Sequence, residues 1–113
     1  MKRLKVKVSR RRWWRGHGPG FGKNYLRNTD GKMCCLGFAC RVFGARSKDI
    51  VGQGMPRDVD TDLFIGTPLG NDKQITLQQL AHINDEAQLT ASERERELKR
   101  IGKTIGIDFT FVP

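Results

Sequence analysis

Apolar and polar positions first alternate at Leu4-Lys5-Val6-Lys7-Val8. A period of two is that of a strand with one buried face, here Leu4, Val6 and Val8, and one wet face carrying Lys5 and Lys7. Alternation returns at Ile107-Asp108-Phe109-Thr110-Phe111, which predicts a closing strand. Between these, Tyr25-Leu26-Arg27 and Lys32-Met33-Cys34 flank Asn28-Thr29-Asp30-Gly31, whose Asp-Gly offers the positive φ of a hairpin turn. From Cys35 the period lengthens. Leu36, Phe38-Ala39 and Val42-Phe43 recur at helical spacing and Gly44 can close the helix, predicting one over about 35–43.

Residues 45–74 are weakly patterned, with Pro56, Pro68 and several glycines and aspartates, and Leu63-Phe64-Ile65 reads as a short strand. Thr76-x-x-Gln79 has the form of a capping box and opens a helix over about 77–86. Thr90-x-x-Glu93 or Ser92-x-x-Glu95 opens another over about 91–105, with Leu98, Ile101 and Ile105 on one stripe. Glu95–Lys99, Glu93–Arg96 and Glu97–Arg100 stand at spacings that lace its wet side. The expected fold class is α+β: a small, largely antiparallel sheet, built from the N- and C-terminal strands plus a hairpin, packed with about three helices. At 113 residues the chain suits a single domain spanning 1–113.

Charge divides this domain. Residues 1–48 hold fourteen Lys/Arg and one acid, Asp30, giving +13. Residues 49–113 hold seven Lys/Arg and eleven acids, giving −4, which matches the net +9 of the chain. A half this basic attracts polyanions and speeds encounter with them. The acidic, helical half reads as scaffold. No apolar run approaches the roughly 18 residues of a membrane span, and no apolar stretch follows Met1-Lys2-Arg3 as a secretory signal needs. The expectation is a cytoplasmic protein with no membrane partner. The clustered cysteines Cys34, Cys35 and Cys40 then read as free thiols.

The densest candidate chemistry is Arg10-Arg11-Arg12-Trp13-Trp14-Arg15, followed by the glycine-rich loop 16–22. Guanidinium groups fork onto phosphate oxygens, and an exposed indole stacks on a base. Adjacent tryptophans in an extended segment face opposite ways, so one is expected in the core and one outside. The glycine loop lacks the Gly-Lys-Ser/Thr ending of a P-loop. Candidate ligand-binding residues are therefore Arg10, Arg11, Arg12, Trp13, Trp14, Arg15 and Lys32, and the partner is an anionic nucleotide or nucleic acid.

Three other constellations carry less. Cys34 or Cys35, where strand meets helix, has the position of a cysteine nucleophile with a depressed pKa. Such a nucleophile needs a base, and only His17 and His82 exist. Cys-Cys-x₄-Cys lacks the paired spacing of a zinc site, and Asp58, Asp60 and Asp62 lack the glycine and distal glutamate of a calcium loop. No metal, cofactor or catalytic residue is called for, and the expectation is a binding protein that is not an enzyme. His82-Ile83-Asn84-Asp85-Glu86 reads as a capped and solvated helix end, or as polar side chains lining a pocket.

Trp14-Arg15-Gly16, the stretch Tyr25-Leu26-Arg27-x-x-Asp30-Gly31-Lys32-Met33-Cys34-Cys35-Leu36-Gly37-Phe38 and the later Leu80-Ala81-x-Ile83-Asn84-Asp85 resemble a family of small bacteriophage proteins of uncharacterised function. The Asp-Gly-Lys-x-Cys-Cys-Leu-Gly core is the distinctive part. The family position matching His82 is not a histidine, which weakens the Cys–His pairing, and the tri-arginine and long glycine loop are departures. The resemblance implies an accessory protein in a host bacterial cytoplasm that captures a signalling nucleotide or nucleic acid as counter-defence. The alternatives are an inhibitor docking its basic face on an acidic host protein and, ranked below it, a cysteine-dependent enzyme acting through Cys34 or Cys35.

Overall fold

The computed structural model describes residues 3–16 and 25–113. Most of the glycine-rich loop expected at 16–22, with His17, lies outside the described residues. Strand β1 (Leu4–Ser9) runs into a single 3₁₀ turn at Arg10–Arg12. After the undescribed segment come α1 (Cys35–Val42), the one-turn α2 (Ser47–Ile50), two further 3₁₀ turns at Pro56–Asp58 and Asn71–Lys73, α3 (Gln74–Asp85), α4 (Ala91–Thr104) and β2 (Ile107–Val112).

The sheet is two-stranded and parallel, with Leu4 opposite Ile107, Val6 opposite Phe109 and Val8 opposite Phe111. This corrects the expected antiparallel sheet with a hairpin. Alternation fixes which side chains face inward and is silent about strand direction. Here Leu4 N donates to Gly106 O (2.7 Å), which sets the start of β1 beside the start of β2, just after the turn at Gly106 (φ 89°) that leaves α4. One face buries Val6, Val8, Ile107, Phe109 and Phe111, while Lys5, Lys7 and Thr110 are exposed on the other. Arg3 closes the open end of the pair, gripping both oxygens of Asp108 through Nε at 3.1 and 2.9 Å.

The Asp-Gly turn does form. Asn28 N donates to Lys32 O (2.8 Å), Gly31 has φ 89°, and Lys32 N donates to Asp30 Oδ1 (2.9 Å). Its arms then part. Beyond the single Arg27–Met33 bridge, Leu26 and Arg27 bond to the 51–53 segment, with Leu26 N donating to Gln53 O (2.7 Å). Met33 bonds instead to the stretch after β1, its N donating to Arg12 O and its O accepting from Trp14 N, both at 2.8 Å. Two competing partners replace the hairpin ladder.

The helices form close to the predicted bounds. Thr90 and Glu93 make the reciprocal capping box of α4. Leu98, Ile101 and the following Ile105 are buried. Helix α3 begins three residues early, on the Asn71–Lys73 turn, and Thr76 does not cap it. Leu63-Phe64-Ile65 is a run of turns and not a strand, with Phe64 buried against Phe43 and its two neighbours exposed. Among the described residues no helix is long and apolar enough to cross a membrane.

Candidate anion-binding surface

Two indoles in sequence are separated by the strand-like backbone that carries them. Trp13 turns inward, 4% exposed, with its ring 4.8 Å from that of Phe111. Trp14 is partly exposed, and the Lys32 ammonium lies 6.0 Å from its ring centroid. The core position of Trp13 removes it from the ligand-binding set.

What holds this segment is Asn84, fully buried near the end of α3. Its Oδ1 accepts from Trp13 Nε1 (2.7 Å) and from Cys35 N (3.0 Å). Its Nδ2 donates to Trp14 O (2.9 Å) and Asp85 Oδ1 (3.0 Å), and its own carbonyl accepts from Gly16 N (2.8 Å). One amide thereby fastens the arginine-bearing segment, the first turn of α1 and the end of α3. It does for α1 what an N-cap side chain does elsewhere, because Cys34 at the cap position makes no side-chain bond. Asn84 is thus neither a solvated cap nor part of a pocket lining.

Arg94 completes the clamp. It is 5% exposed, and its guanidinium donates to the carbonyls of Ile83, Glu86 and Leu89. Gly16, at φ 72°, lies so close that an added Cβ would stand 3.0 Å from Arg94 Nη2. Burial, and then the neighbouring Arg15, hold the Arg94 pKa below its ordinary value. Both residues were legible in the helical period: Asn84 follows Leu77 and Leu80 on the buried stripe of α3, and Arg94 precedes Leu98 and Ile101 on that of α4.

The arginines separate by role. Arg10 forms a two-pronged ion pair with Glu95 (2.9 and 2.8 Å), so Glu95 serves a distant partner and not Lys99. That bond depresses the Glu95 pKa. A depressed carboxyl contributes stability above its unfolded pKa and loses it as pH falls through the folded value, so the pair is intact at neutral pH. Arg15 lies over Trp13, its guanidinium carbon 4.4 Å from the ring centroid, and donates to Arg10 O (3.1 Å). Burial lowers its pKa. Arg11 and Arg12 are exposed on the 3₁₀ turn and form no ion pair among the described residues. The Met33 bridge sets exposed Lys32 beside them. Of the candidate set, Arg10, Arg11, Arg12 and Lys32 are exposed and Trp14 partly so, and Arg10 alone of the four cations is spent on an ion pair among the described residues.

Cys34, Cys35 and Cys40 all lie in the core. All three are free and buried. Burial pushes the Cys34 thiol up to about 12, and Cys35 and Cys40 are raised by the same cause. Desolvation outweighs the helix terminus that was expected to depress Cys34 or Cys35. The native thiols should therefore resist iodoacetamide at pH 8, with labelling appearing only as the protein unfolds. Rapid native labelling would contradict their burial. A raised pKa contributes stability below the unfolded value of about 8.5 and loses it as pH rises toward the folded one. Stability should accordingly decline above that pH. Among the described residues no three His, Cys, Asp or Glu side chains converge as a metal site.

Two concavities bear on ligand size. One, lined by Pro56, Arg57, Phe64 and Leu69 among others, has about 80 Å³, well below the roughly 300 Å³ at which small-molecule sites begin. A larger one, about 620 Å³, opens along α4 between Ser92 and Lys103. Comparison with protein-family models, with curated proteins and with solved structures finds no match to this chain.

Proposed function

We propose that the protein captures a phosphate-bearing ligand, a nucleic acid or signalling nucleotide, on the surface formed by Arg11, Arg12, Lys32 and the exposed edge of Trp14. The observation that carries this reading is the placement of Arg11 and Arg12. They are exposed, without a carboxylate partner among the described residues, on a turn whose flanks are pinned by Arg10–Glu95 and by the Asn84 clamp. Guanidiniums held on a rigid turn lose little backbone entropy on binding, so charge-assisted contacts to phosphate are retained as affinity. The resemblance to small bacteriophage proteins supplies the setting, sequestration of such a ligand as counter-defence in a host cytoplasm.

Native mass spectrometry of nuclease-treated, high-salt-washed protein tests this. Titration with short oligonucleotides and with cyclic and linear nucleotides should give stoichiometric retention of one class. Arg11→Gln/Arg12→Gln/Lys32→Gln should lose it with the thermal midpoint unchanged. Retention of none of these compounds by the wild type would overturn the reading and favour docking on an acidic protein.

A further inference from the structure

The acidic balance of residues 49–113 conceals a basic row. Arg96, Lys99, Arg100 and Lys103 recur at i, i+3, i+4 and i+7 on α4, opposite its buried stripe. Every acid of this helix is occupied: Glu93 in the capping box, Glu95 by Arg10, and Glu97 by Arg100 at 2.6 Å. Arg96, Lys99 and Lys103 are left with no carboxylate within 4.0 Å among the described residues.

The row continues at both ends. At the N-terminal end of α4, the Arg10–Glu95 pair fastens the Arg10–Arg12 turn beside it. At the other end Arg3, itself held by Asp108, reaches the carbonyl of Lys103 (3.5 Å) and lines a concavity with Lys99, Lys103, Asp108 and Phe109. Arg96 and Lys103 are separated by about 10.5 Å along the helix at 1.5 Å per residue. Cations spread in a line along the exposed face of a helix match a polymer of evenly repeated phosphates.

We propose that this stripe, from the Arg11–Arg12 turn along Arg96, Lys99 and Lys103, is a docking surface for the sugar-phosphate backbone of double-stranded nucleic acid. The proposal rests on the phosphate-binding reading above and extends it to a second element. Single strands are bound by successive bases stacking on several exposed aromatic side chains, whereas this surface has the partly exposed Trp14 at one end and none along α4, where Phe109 is 4% exposed. Protein partners are held by a central buried apolar or aromatic anchor. The lining of the α4 concavity is Ser92, Glu95, Arg96, Lys99, Arg100 and Lys103, with no such group. A polar, strongly cationic face is the composition of a nucleic-acid interface.

Fluorescence anisotropy with a labelled 20-base-pair duplex, titrated between 50 and 200 mM salt, tests the stripe. Each phosphate contact contributes about 0.9 to the slope of log affinity against log salt. Arg96→Gln/Lys99→Gln/Lys103→Gln should flatten that slope by about 2.7 and weaken binding at least tenfold, with the thermal midpoint retained. Lys48→Gln/Arg57→Gln, which removes charge from elements with no residue in the stripe, should change the slope far less. A wild type that binds duplex and a triple variant with the same affinity and slope would overturn the stripe while leaving the Arg11–Arg12 surface standing. Retention of a small nucleotide without duplex binding would have the same effect. Binding of neither would overturn both, and preference for poly-L-glutamate over duplex would transfer the surface to an acidic protein partner.

Discussion

Gly37→Ala is expected to abolish stable folding. A Cβ built on Gly37 would stand 1.9 Å from the carbonyl oxygen of Leu26, 2.8 Å from its carbon and 3.0 Å from Met33 Cβ. The first turn of α1 lies directly on the backbone entering the Asn28–Gly31 turn, and a peptide group cannot yield as a flexible side chain can. Relief requires moving α1 away from Leu26, which is fully buried, or breaking the bond from Cys35 N to Asn84. Overpacking usually costs about 1–3 kcal/mol. A backbone clash this severe belongs with the exceptional substitutions above about 4 kcal/mol, a large part of the stability of a small domain. Circular dichroism should show a chain largely unfolded at 37 °C. Gly44→Ala provides the contrast: nothing lies within 4 Å of its Cβ, and only its φ of 97° opposes the change. It should cost about 1–2 kcal/mol. Equal effects at the two positions would contradict the packing of α1.

Asn84→Ala should be nearly as damaging, for a different reason. It leaves the Trp13 indole N–H and the Cys35 amide without their acceptor and the Trp14 carbonyl without its donor, in an environment where Asn84 itself is fully buried. Each unsatisfied buried group costs about 1–3 kcal/mol, so a loss of about 3–5 kcal/mol is expected. That corresponds to a fall in Tm of about 12–20 °C, at roughly 4 °C per kcal/mol for a domain slightly above 100 residues. The indole should also report the loss through a changed Trp13 fluorescence. Because the same amide anchors the segment carrying Arg11 and Arg12, ligand affinity should fall further than for a variant destabilised elsewhere. A near-neutral Asn84→Ala would show that the clamp does not hold the segment.

Periodicity showed where both strands lie and which of their side chains turn inward, and it found α1 and α4 to within a residue or so. It could not give strand direction, since Leu4-Lys5-Val6 alternates identically in either orientation. The hairpin failed on competition. The local signal Asp30-Gly31 made its turn, but the arms found better partners in Gln53 and Arg12, contacts that no short window contains. Residues 45–74 resisted reading because they are tied down by short turns and by single buried side chains such as Ile50, Val59 and Phe64.

The candidate surface was partly legible. Two adjacent tryptophans on an extended backbone announced that one would be core. The roles of Arg10 and Arg15 were hidden, because the first depends on Glu95 and the second on the orientation of the Trp13 ring. Asn84 and Arg94 carried a usable signal, polar residues on apolar helical stripes, which the solvated-cap reading of 82–86 passed over. The basic row of α4 was masked by net charge: counting acids says nothing of which of them are already held.

Amide-resolved NMR titration of the ¹⁵N-labelled protein with a short duplex shows directly where phosphate docks. Shifts should gather on Arg11, Arg12 and Lys32 and run along Arg96, Lys99 and Lys103, with residues 56–71 and the Asn84 amide unmoved. Shifts confined to the 56–71 segment, or none at saturating duplex, would contradict docking on that surface.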